Sequence, residues 1–250
     1  MSTDKRNGNP RDALFAHPQP VVDFAFNAAV ADVFPDMVRR SIPGYETIIS
    51  QLGVLARRYV RPQTRVYDLG CSLGAATLSM ASQVREPGVR WIGVDNSQAM
   101  IDRCALRFAR HLPPGSFTLE CADISRLSLM PASLMVLNFT LQFIPPPERQ
   151  ALLNRVYAAL LPGGALVLSE KTCFADAGQQ ALINELYLEF KRANGYSELE
   201  ISQKRSALEK VMIPETLAIH RERLQQAGFT PVVCWFQSFS FLSLLALKAE

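Results

Sequence analysis

The residues of this chain whose types and spacing could do chemistry gather at the ends of short apolar runs. Asp68-Leu69-Gly70-Cys71-Ser72-Leu73-Gly74 follows the β-branched run 65–70 and opens a helical stretch. Gly70 can take backbone angles closed to other residues, and Gly70 with Gly74 would let a ligand approach the main chain closely. A tight strand-to-helix turn without a ligand needs the same glycines. The next acid adds weight to a ligand: Asp95 ends a second apolar run, VRWIGVD, 25 positions after Gly70 (95 − 70). A carboxylate there can accept two hydrogen bonds from ribose hydroxyls. The loop is not the GxGxxG of a pyrophosphate binder, because no glycine lies two after Gly70. The pattern favours a ligand with a ribose and no pyrophosphate, such as S-adenosylmethionine.

Two further strand ends extend the same site. Cys121-Ala122-Asp123-Ile124 closes a third run. Asp123 there could accept from an adenine amino group, with Ile124 covering the ring, or could merely cap a turn. Asn138 closes a fourth run, LMVLNF, where its amide either faces the site or satisfies loop backbone. What is missing also narrows the chemistry. No NPPY-type loop follows the fourth run, no Pro-Cys nucleophile occurs, and no acceptor-activating base is identifiable. Three separated histidines and five scattered cysteines without a CxxC pair give no metal-ligand spacing, and such a cysteine set fits a reducing compartment.

These residues need a scaffold that brings strand ends together. The runs 65–70, 89–95, 116–121, 134–139 and 165–170 alternate with helical stretches at 75–84, 98–109 and 147–160. Repeated βα order implies right-handed crossovers and a mostly parallel sheet covered on both faces, hence a doubly wound α/β fold. Two or three helices precede the first strand, at 28–33, 35–41 and 45–59, with breaks expected at Pro35 and Pro43-Gly44. About 60 residues separate Glu170 from the strand-like run at Thr230, too many for an ordinary connection, and three helices (176–193, 198–211, 214–227) are expected within them. The last 21 residues suggest an antiparallel hairpin about a Gln-Ser turn. Together these predict a seven-stranded class I methyltransferase sheet, Rossmann-like, as one domain over 24–250. It carries a helical cap at 24–61 and a helical insertion at 171–229, behind a mobile tail at 1–23 rich in Pro, Asn and Arg. The chain has 250 residues, 48% of them hydrophobic, and a net charge of +3. That balance excludes a disulfide mini-protein or a disordered chain and gives no basic platform for direct nucleic-acid binding. Neither a signal peptide nor a long apolar span is apparent, so a cytoplasmic location is expected.

The segments VFPDMVRRSIPGY (33–45), VYDLGCSLGAATLS (66–79), VDNSQAMIDRC (94–104), VLNFTLQFIPP (136–146), LPGGALVLSEK (161–171) and FKRANGYSELEISQKRSALEKVM (190–212) closely resemble the bacterial carboxy-S-adenosyl-L-methionine synthase family. The last is the most distinctive, because ordinary methyltransferases lack that insertion. The resemblance implies S-adenosylmethionine and prephenate as substrates, and carboxy-S-adenosylmethionine and phenylpyruvate as products. The carboxylated nucleoside is then consumed by a separate enzyme that builds 5-oxyacetyl-uridine at the tRNA wobble position. In the route proposed for that family, prephenate aromatises with loss of carbon dioxide and hydroxide. Hydroxide takes a proton from the sulfonium methyl, and the resulting carbanion captures the carbon dioxide, which would explain the missing protein base.

Position by position, the resemblance implies ligand contacts at Tyr45, Gly70, Cys71, Ser72, Asp95, Asn96, Asp123, Ile124, Asn138 and Arg205. It makes Arg205 the clamp for the new carboxylate, a role suited to a planar guanidinium. Lys204 beside it is expected to face elsewhere, since neighbouring helical residues point about 100° apart. The resemblance also implies a homodimer and no metal. A conventional S-adenosylmethionine-dependent methyltransferase and a non-catalytic nucleoside-binding protein are the alternatives.

Overall fold

The computed structural model describes residues 10–20 and 22–250. The five apolar runs form five parallel strands, β1 (Arg65–Leu69), β2 (Arg90–Asp95), β3 (Phe117–Cys121), β4 (Ala132–Asn138) and β5 (Leu160–Cys173). A two-residue strand, β6 (Glu215–Thr216), adds to the far end of β5. The hairpin β7 (Val232–Ser238) and β8 (Phe241–Leu247) joins β5 antiparallel through β8, giving the order β3-β2-β1-β4-β5-β8-β7. The hairpin turns at Phe239-Ser240, two residues later than its Gln-Ser signal suggests, and Phe239 takes the positive φ of 51° that the turn requires.

Side chains alternate across the pleat. Val66, Val136 and Val167 face one core, shared with α2 (Tyr45–Tyr59), α3 (Ala75–Gln83) and α4 (Gln98–His111). Tyr67, Leu137 and Leu168 face the other, filled by Leu152, Leu153 and Val156 of α5 (Pro146–Ala159) and by Leu224 of α8 (Leu217–Gln226). Between β5 and β6 run α6 (Ala177–Ala193) and α7 (Glu198–Leu208), the latter begun by a capping box in which Ser197 and Glu200 bond reciprocally.

Two expectations are corrected. Pro35 does not break the first helix: α1 (Ala28–Ser41) is continuous through it. The lost hydrogen bond at Pro35 is offset by packing, since Val30, Ala31, Val33 and Met37 all bury against Leu73 and Met100. The mobile tail expected at 1–23 lies outside the described residues at 1–9 and 21, but the stretch from Pro10 is tied down. Asp12 is 1% exposed, and its carboxylate accepts from Tyr196 Oη (2.8 Å) and Lys204 Nζ (3.4 Å). Gln203 Nε2 donates to the carbonyls of Phe15 and His17. A polar composition reads as a tail until partners more than 180 residues away bury it. Among the described residues no helix is long and apolar enough to cross a membrane.

Candidate active site

Strand order reverses between the adjacent strands β1 and β4. Ligands of open α/β sheets bind at such a switch point, outside the carboxyl ends of the strands. There the chain encloses a cavity of about 870 Å³, and all ten residues nominated from the sequence line it.

The floor is built by the loops after β1 and β2. Gly70 and Cys71 donate their N–H groups to the carbonyl of Val94, which fixes the first loop against the second strand. Asp95 accepts from Ser72 N at one carboxylate oxygen and from Ser97 N at the other, both at 2.9 Å. Each oxygen keeps a free lone pair, so two ribose hydroxyls can be received without disturbing the loop. Burial raises the Asp95 carboxyl above its ordinary range, against the pull of those two backbone donors. The glycines also serve the packing of the protein itself. Gly70 and Gly74 do adopt positive φ, 87° and 76°, but a Cβ at Gly70 would come within 2.3 Å of Thr140 and one at Gly74 within 2.2 Å of Phe108. Their missing side chains admit other parts of the protein, and the close approach is to Thr140 and Phe108.

The loop past β3 forms the next wall. Asp123 Oδ1 accepts from Ser125 N at 2.8 Å, so the residue does cap a turn, while its exposed carboxylate also borders the cavity beside buried Ile124. At the end of β4, Phe139 takes a φ of 60°, which turns the chain sharply. Asn138 Oδ1 is buried with no hydrogen-bond partner among the described residues. Of the two readings of this amide, the structure supports the site: a buried carbonyl oxygen left open on a cavity is where a ligand donor fits. Tyr45 opens α2, its ring 6.4 Å from that of Phe139. Burial, with Asp68 beside it, raises the phenol and keeps it neutral.

The insertion roofs the cavity. Arg205 of α7 lines it without a hydrogen bond or ion pair to any described residue. Lys204 gives its ammonium to Ser41 Oγ (2.9 Å), Tyr196 Oη and Asp12, although, against the expectation that it faces elsewhere, it lines the same cavity as Arg205. Arg40 extends the clasp by donating to the carbonyls of Asn194 and Gly195 and to Asp36. The roof is thereby tied to α1 and to the stretch around Asp12.

The lining residues that the sequence reading passed over include Asp68, Lys171 and Lys191. Asp68 is buried, held by Thr77 Oγ1 at 2.8 Å, and its carboxyl is pushed up to about 6 by desolvation. Lys171 and Lys191 border the cavity from β5 and α6. Lys171 was detectable, because it lies near the carboxyl end of a strand, the same signal that marked Asp95; Lys191 gave none. Among the described residues no group of three or more His, Cys, Asp or Glu side chains could hold a metal ion.

A methyltransferase domain model matches residues 66–164. A carboxy-S-adenosyl-L-methionine synthase of Trichlorobacter lovleyi is 56% identical over 241 residues, covering 95% of this chain and 98% of that protein. One of Pseudomonas putida is 57% identical over 244 residues, covering 94% and 98%. Among solved structures, an O-methyltransferase family protein of Burkholderia thailandensis superposes with a TM-score of 0.66 at 18% identity, over 90% of this chain and 61% of that one, a likeness of fold alone.

Proposed function

The chain belongs to the carboxy-S-adenosyl-L-methionine synthase family, and from that premise we propose that it makes carboxy-S-adenosylmethionine with prephenate as carboxyl donor, releasing phenylpyruvate. The observation that carries this reading is Arg205, a guanidinium without a partner among the described residues, in the same cavity as Asp95, the acceptor we assign to the ribose. Methyl transfer leaves the nucleoside with no carboxylate beyond that of its methionine part. Carboxyl transfer creates an anion that the planar fork can hold with two charge-assisted hydrogen bonds.

S-Adenosylmethionine would supply the sulfonium methyl that receives the carboxyl group. The chain's own residues bind and enclose. Asp95 takes the ribose, with Asn96 beside it; Asp123 and Ile124 take the adenine. Gly70, Cys71 and Ser72 shape the loop beneath the nucleoside. Asn138 Oδ1 accepts from a ligand donor and Tyr45 closes the cap side. A roof clasped shut by Asp12, Lys204 and Arg40 would keep bulk water from the reacting carbon. The product would pass to a separate enzyme for wobble-uridine modification, so this chain need not touch tRNA. A cytoplasmic location and a homodimer complete the proposal. Leu182 and Leu186, exposed one turn apart on α6, offer the apolar surface for the dimer, and sedimentation gives its mass.

Incubation with S-adenosylmethionine and prephenate, followed by mass spectrometry of the nucleoside, tests the activity. A gain of one carboxyl group supports it. S-Adenosylhomocysteine with a methylated acceptor refutes it in favour of a conventional methyltransferase.

A further inference from the structure

Lys171 and Lys191 are cations that the nucleoside contacts leave unused. Their Nζ atoms lie 5.0 and 4.7 Å from the centre of the Tyr187 ring, and Lys171 is also 5.9 Å from that of Phe241. The ring is a fixed platform, because Tyr187 Oη donates to the carbonyl of Ser41 at 2.9 Å and the ring packs on Phe241. Neither ammonium hydrogen-bonds or ion-pairs with a described residue, although Glu46 and Glu185 border the same cavity. Lys204 shows the contrast: it is buried like Lys191, but Asp12 compensates it. Burial and the nearby positive charges of Lys204, Lys171 and Arg205 push Lys191 down to about 7, and burial with Arg205 lowers Lys171. Desolvated cations gathered about one aromatic ring are costly for a fold to keep, and cation–π attraction offsets only part of that cost. An anion entering the cavity would satisfy both.

We propose that Lys171 and Lys191 form a second anion subsite, which holds the carboxylate that the donor keeps through the reaction, while Arg205 receives the one transferred. The inference rests on the reading of the donor as prephenate, which carries two carboxylates. It adds to that reading two specificity-determining residues and divides the cations of the cavity between retained and transferred groups.

The experiment uses the full chain and begins with wild-type turnover of prephenate, which tests the donor by itself. Lys171→Met and Lys191→Met are then compared by KM for prephenate and by calorimetric Kd for S-adenosylmethionine. Loss of a charge-assisted contact raises the KM for prephenate by about tenfold or more in each, with the Kd for S-adenosylmethionine within about threefold of wild type. Lys191→Arg restores most of the KM, and the thermal midpoint of Lys191→Met does not fall, since a desolvated charge has been removed. An unchanged prephenate KM, or a parallel loss of S-adenosylmethionine binding, overturns the subsite and leaves the donor standing. A wild type that neither turns over nor binds prephenate overturns both.

Discussion

Replacing Asp95 gives the most direct test of the nucleoside site. Both of its oxygens are already bonded to backbone N–H groups at 2.9 Å, from Ser72 and Ser97, so the free lone pair on each is aimed by the loops before a ligand arrives. Two hydrogen bonds from a ribose diol to an ionised carboxylate contribute about 1.5–3 kcal/mol each. Asp95→Ala removes about 3–6 kcal/mol, or roughly 10²–10⁴-fold in Kd. Asp95→Asn gives no refuge, because its amide nitrogen must face one of the two backbone donors; its loss falls within about tenfold of the alanine variant. The carboxylated nucleoside carries the same ribose, so both ligands lose affinity to within about threefold of each other. Because burial raises the Asp95 carboxyl, affinity for either ligand falls as pH drops through that raised value, earlier than for an ordinary aspartate. Calorimetry with each ligand measures these losses, and a thermal scan confirms that the variants fold. A Kd for S-adenosylmethionine within about fivefold of wild type refutes the assignment, and so does a loss confined to one ligand.

Four more perturbations separate binding from folding. Arg205→Lys keeps the charge but loses the fork, so retention of the carboxylated nucleoside drops by about tenfold or more while S-adenosylmethionine is little affected; equal losses would remove the guanidinium from carboxylate recognition. Asn138→Ala deletes a buried oxygen that has no protein partner, so urea unfolding is unchanged or shifts up while ligand affinity drops by about 1–2 kcal/mol; a loss of stability instead would place the amide in the loop. Asp12→Ala leaves Lys204 buried and unpaired, at a cost of about 3–5 kcal/mol in urea unfolding, and adding Lys204→Met recovers most of it; additive losses would deny the pairing. Lys191 binds its proton less tightly folded than unfolded, so unfolding free energy rises with pH between about 7 and the ordinary lysine value, and Lys191→Met flattens that rise in pH-dependent denaturation.

Where the site was legible in the sequence, the signal was local. Asp95, Asp123 and Asn138 each end an apolar run, and a parallel sheet delivers the ends of such runs to one edge. Arg205 carried no such signal and was found through the resemblance of its segment. The rest depended on distance along the chain. Asp12 lies in a polar stretch that looks solvated until Tyr196 and Lys204 surround it. Lys191 sits beside Arg192 in the last turn of α6, and only its place over the Tyr187 ring shows which way it faces. Pro35 misled because the penalty for proline inside a helix is local, whereas the burial that offsets it comes from Leu73 and Met100. The glycine loop was legible, but its packing role was not, since the atoms that would collide with a side chain belong to Thr140 and Phe108.

The clasp at Asp12 also has a consequence for how the molecule comes into being. Its partners Tyr196 and Lys204 stand 184 and 192 positions further along the chain. During synthesis the loops around Asp95 can form once the early strands have emerged, but the roof must wait until α7 has been made. Closing so long a loop is slow and comes late. The enclosure is therefore expected among the last parts of the fold to set and the first to release. Hydrogen exchange on the intact protein would see this as amides of α7 opening well before those of β1 and β4.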